Sequence, residues 1–171
     1  MPEPHYAKKG ATFSEDKKYR YTLWREWDPV KPSVAFVMLN PSTADERVLD
    51  PTLRRCLGYA REWGYGRMDI LNLFALRSTD PRVLYAHRDP IGQQNDEYTR
   101  SVCVRARTRV IIAAWGVHGK FMNRDQEVTD LITETLGQRL YYLQLTNNGI
   151  PSHPLYLKGS LRPVLYKDRK L

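Results

Sequence analysis

The chain has 171 residues, 27% charged and 42% hydrophobic, and a formal net charge of +8. That length suits one domain, here 1–171, with a full-sized core, and no apolar run approaches membrane-spanning length. The N-terminus, MPEPHYAKKG, lacks the apolar segment of a signal peptide; a cytoplasmic location, no membrane partner and a monomer are expected. Two cysteines, Cys56 and Cys103, supply neither a disulfide framework nor the thiolates of an iron–sulfur cluster. Basic residues crowd both ends: Lys8, Lys9, Lys17, Lys18 and Arg20, then Lys158, Arg162, Lys167, Arg169 and Lys170. This distribution favours a polyanionic partner.

In chain order, residues 1–19 are polar and read as a flexible basic arm. Tyr19–Trp27, YRYTLWREW, is aromatic and partly alternating, as in an edge strand. Val34–Leu39 is apolar on both faces, the pattern of a central strand under two helix layers. It breaks into Asn40-Pro41-Ser42-Thr43. Asp50-Pro51 supplies an N-cap and a first-turn proline for a helix over Pro51–Trp63, which Gly64-Tyr65-Gly66 stops.

A second buried strand is expected at Arg67–Phe74, with Asp69 and Asn72 as its polar interruptions. A helical turn at Pro81–Ala86 and a helix over Gly92–Arg107, with Asn95 as its cap, should follow. Arg109–Trp115 reads as a third buried strand and Gln126–Leu136 as an amphipathic helix closed by Gly137. The last strand is expected at Leu140–Leu145, with a final helical turn in the basic tail. Alternating strands and helices predict an α/β fold: a three-layer α/β/α sandwich on a mainly parallel sheet of about four strands. No Gly-x-Gly-x-x-Gly or Walker loop follows any strand, which argues against a dinucleotide or NTP enzyme.

Parallel strands open their C-terminal ends on one side, where such folds bind ligands. Asn40, Asn72, the Trp115-Gly116-Val117-His118 turn and His153 all fall at those ends. Singly, each has a plain structural explanation. A buried strand amide such as Asn72 is the exception, because it needs hydrogen-bond partners.

In this order the motifs resemble those of the uracil-DNA glycosylase superfamily over about Val34–Lys158. Leu39-Asn40-Pro41 resembles its GINPG motif, and Ile70-Leu71-Asn72 its base-reading strand. Ala113–His118 resembles its LLWG-x-H turn, and His153-Pro154-Leu155-Tyr156-Leu157 its HPSPL motif. Within the superfamily, LNPSTAD, NLFALR, AAWG and HPLYL are similar to a bacterial and phage branch labelled only as a domain of unknown function.

The resemblance implies hydrolysis of the N-glycosidic bond of uracil or a modified pyrimidine flipped out of single- or double-stranded DNA. That activity would serve repair or conflict with phage. Asn72 would read the base edge, His153 donate to the base oxygen, and Asn40 hold the attacking water. Leu39 and Pro41 would line the base pocket, and Phe74, or Tyr65, would stack on the base. Leu157, or Tyr156 beside it, would fill the hole left by the flipped base. Ser42, Thr43, Arg77, Ser152 and Lys158 are candidate phosphate contacts. No cofactor is implied, and His5, His87, His118 and His153 show no metal-ligand spacing.

Asn40 stands where the most active members carry aspartate, although the related mismatch-directed branch also has asparagine. Asp45 and Glu46 are the nearby candidate carboxylates. A nucleic-acid or nucleotide reader without catalysis, on the same fold, is the alternative.

Overall fold

The computed structural model describes residues 8–171. Its strands are, in chain order, β1 (Lys8–Phe13), β2 (Arg20–Glu26), β3 (Ser33–Met38), β4 (Arg67–Asn72), β5 (Thr108–Ala113), β6 (Leu140–Tyr142) and β7 (Val164–Lys167). The helices are α1 (Pro51–Glu62), α2 (Pro81–Ala86), α3 (Asn95–Cys103) and α4 (Arg124–Asp130). A 3-10 segment, Val117–Asn123, precedes α4, and a π-helical turn, Leu131–Thr135, extends it.

All seven strands form one mixed sheet in the order β1-β2-β4-β3-β5-β6-β7. The inner four, β4, β3, β5 and β6, are mutually parallel, as the alternation of strands and helices predicts. The sheet is wider than the four strands expected because antiparallel strands flank this core: β2 and β1 on one side, β7 on the other. β2 is therefore not an edge.

The expected arm also needs correction. Its residues 1–7 lie outside the described residues, while Lys8–Phe13 pair with β2 as the edge strand. The basic tail forms β7 and not a helical turn. Gln94, not Asn95, stands at the N-cap position of α3, without a side-chain cap bond, and the last core strand is half the expected length.

β3 is buried along its whole length because it lies between two apolar layers. On one face, Val34, Phe36 and Met38 pack with Met68 and Ile70 of β4 and with Leu53, Cys56, Leu57 and Ala60 of α1. On the other, Ala35 and Val37 pack with Leu71, with Val102 and Cys103 of α3 and with Val128 of α4. Each fully buried side chain of this kind contributes about 1.5–3 kcal/mol. Both cysteines are free and buried; burial pushes the Cys103 thiol up to about 12 and raises that of Cys56.

Asp50 caps α1: its Oδ1 accepts from the Leu53 amide at 2.8 Å, with Pro51 in the first turn. Gly64, at φ +84°, takes the left-handed conformation just beyond the C-terminus of α1, where a side chain would be strained.

Candidate functional site

The C-terminal ends of β3 and β4 form the floor of a cavity of about 430 Å³. Met38, Leu39, Asn40 and Pro41 come from the first strand end, Ile70 and Asn72 from the second. Trp115, Gly116 and His118 follow β5, and His153 closes the far side. Asn40, Asn72 and His153, predicted from separate stretches, thus line one cavity.

Asn72 is 3% exposed. Its backbone carbonyl accepts from Asn95 Nδ2 at 3.0 Å, while its side-chain amide bonds no other described residue. The same Asn95 group donates to the Leu73 carbonyl at 3.1 Å, and Arg124 Nε donates there at 2.8 Å. Arg124 is itself buried and pairs with Asp96 and Glu127. α3 and α4 therefore hold the end of β4 by its backbone and leave the Asn72 amide to the cavity. Asp69, the other polar residue of β4, pairs with Arg67 and Arg105 and has no part in the site.

Asn40 is half-buried and fixed in orientation. Its Nδ2 donates to the carbonyls of Pro41, Leu76 and Ser78 at 3.0–3.3 Å. The donor side of the amide is thereby used, and Oδ1, an acceptor, is the group left for a ligand or water.

His153 stands at the rim. Its Nδ1 accepts from the Leu155 amide at 3.4 Å, which places the proton of a neutral ring on Nε2. Burial lowers its pKa and the Asp50 carboxylate opposes that shift. Gly116, at φ +76°, lets the β5 turn pass beside it; a Cβ there would lie 3.6 Å from His153 Cβ.

Among the further residues that line the cavity are Asp50, Trp115 and Arg20. Asp50, read as a helix cap, brings a carboxylate to the cavity; its second oxygen is 3.4 Å from Ser42 Oγ. Its position after an acidic loop was the available signal. Trp115, quoted in the third strand-end motif, is the aromatic wall, with its indole N–H buried and unpartnered. Arg20, counted only as surface charge, is 3% exposed and lines the cavity.

Other expectations are corrected. Phe74 is fully buried against Phe121 in the α3–α4 layer, not in the cavity. Tyr65 precedes β4, at the opposite end of the sheet, where its carbonyl holds the Trp27 indole. Leu157 packs into the α1 layer and its carbonyl accepts from Arg55, so it does not project. Tyr156 does: it is 90% exposed at φ +71°. It borders a separate groove of about 500 Å³ along α1 that reaches no strand end.

Asp45 is tied to Arg47 on the surface, and Glu46 gives its carbonyl to Arg25. Arg77 donates to the carbonyls of Lys17 and Thr43 and stacks on Phe13, which makes it a loop clamp. Thr43 and Lys158 are exposed, whereas Ser42 and Ser152 are half-buried. Ser42 lines the cavity, and Ser152 is held by its amide to the Gln144 carbonyl.

The fold and cavity define an α/β protein with a ligand-sized pocket, its apolar walls carrying a few polar groups, at its parallel strand ends. The chain belongs to the DUF1643 family, described as proteins of unknown function, whose model matches residues 20–155. No curated protein and no solved structure matches it. The family match makes no connection to the uracil-DNA glycosylases. Among the described residues no helix is long and apolar enough to cross a membrane.

Proposed function

We propose that the protein is a DNA glycosylase that hydrolyses the N-glycosidic bond of uracil or a modified pyrimidine. The observation that carries this reading is Asn72: a strand-end amide, buried yet without a side-chain partner among the described residues, in one cavity with Asn40 and His153. An amide that both donates and accepts suits the edge of a pyrimidine, and a buried polar group needs such a partner. The order of the four motifs supports the same class.

In this reading Trp115 lies along the base and Tyr156 fills the space it leaves in the duplex. Water attacks the sugar carbon as the glycosidic bond breaks, and that bond's electron pair leaves on the base. Asn40 Oδ1 accepts a hydrogen bond from the water. Asp50 takes up its proton and balances the cation-like sugar, the role for which Asn40 lacks the charge. His153 Nε2–H donates to the base oxygen as negative charge develops there. The base gains a proton and leaves an abasic site.

The test is incubation with oligonucleotides carrying uracil, a thymine mismatch or hydroxymethylated cytosine, then alkaline cleavage of abasic sites. Breaks with at least one base are expected, reduced about 10²-fold or more in Asn72→Ala and His153→Ala. Undiminished cleavage in both variants would remove the site assignment. Tight binding with no cleavage of any substrate would identify a non-catalytic reader.

A further inference from the structure

Among the described residues, Arg20 is a buried cation with no ion-pair partner. None of its guanidinium nitrogens makes a hydrogen bond or ion pair with another described residue, and Nε is fully enclosed and unpartnered. It lies in the same cavity as Asn72, and both are 3% exposed. Asp50 also lines this cavity and acts on Arg20 through space, but it makes no ion pair with it, and its Oδ1 caps α1.

A β-bulge aims Arg20 inward. Across the β1–β2 pair, Thr12 faces Thr22 but Phe13 faces Arg20, so Tyr21 is the extra residue. Leu23 faces the α1 layer. Strict alternation would put Tyr21 on that same face, but Tyr21 stacks on Tyr98 of α3. The bulge reverses the alternation and turns Arg20 back to the α1 side, where the cavity opens.

Burying an arginine unpaired disfavours folding, and burial holds its pKa down at about 10. A planar fork of donors matches an oxygen pair that shares negative charge. Strand phosphates run over the outside of a bound nucleic acid, whereas Arg20, like Asn72, is buried in the cavity lining.

We infer that Arg20 selects an acidic planar ring, one whose leading edge carries a carboxylate or an ionised ring oxygen. This rests on the cavity being a base pocket. It assigns Arg20 to specificity and requires no chemical step.

The experiment measures binding of free rings to the whole protein by calorimetry, separately from any DNA cleavage. Orotate carries a carboxylate, barbiturate spreads its charge over ring oxygens, and uracil is the neutral comparison. At least one of the two anions should bind tenfold or more tighter than uracil; which one does so identifies where the charge sits. That preference should vanish in Arg20→Gln and Arg20→Met, with melting transitions at or above wild type because a buried unpaired charge has been removed. Uracil binding as tightly as both anions would overturn the inference, without any variant. So would a preference that survives the substitutions, binding of inorganic phosphate in place of any ring, or binding of no ring at all. Absence of DNA cleavage with the anion preference intact would remove the glycosylase reading and leave this one standing.

Discussion

His153 shows how one side chain couples the site to pH. Burial depresses its folded-state pKa below the ordinary value of about 6.5. The unfolded chain then takes up this proton more readily than the folded one, so the contribution of His153 to stability falls as pH drops below about 6.5. Protonation also fills Nδ1, the acceptor of the Leu155 amide. Thermal melts from pH 7.5 downward should show wild type losing stability faster than His153→Gln; parallel curves would refute the assignment. Asn72 and Arg20 carry a complementary lesson. The sequence marks Asn72 because an amide interrupts an apolar strand, but nothing in YRYTLWREW distinguishes Arg20 from a surface arginine. Its burial follows from the added β1 strand and from a bulge that no local pattern announces.

α1 illustrates a residue with two duties at the level of an element. Asp50 both caps the helix and faces the cavity, and two substitutions separate these roles. Asp50→Asn retains the cap, since asparagine and aspartate cap about equally well, whereas alanine costs about 1 kcal/mol. Asp50→Asn should therefore melt close to wild type and lose excision, while Asp50→Ala should lose excision and melt several degrees lower. Melting and cleavage assays on the same preparations check both. Excision by Asp50→Asn at the wild-type rate would assign Asp50 to the cap alone. The Asp-Pro pair makes this helix legible, as an unbroken apolar run does for β3 and a largely apolar one for β4. The short β6 and the antiparallel β7 are less so, because both are held by pairing with residues far along the chain. Asn95 looks like a helix cap for a related reason, but its side chain holds the Asn72 carbonyl, which only the tertiary fold brings near.

At the scale of the whole molecule, seven strands set the distance between the two basic ends. Lys8 and Lys9 lie on one outermost strand and Lys167 on the other. Six interstrand steps of about 4.8 Å separate them by about 29 Å. Lys8 and Lys9 are thus held apart from Lys167 on opposite edges and do not form a single patch with it. On the nucleic-acid reading the sheet becomes a ruler: at about 3.4 Å per base pair, a straight duplex must be about nine base pairs long to reach both ends. Shorter duplexes engage one edge and release fewer counterions. The slope of log affinity against log salt should therefore steepen as duplexes lengthen through about nine base pairs. A slope independent of length would mean that one edge alone meets the polyanion.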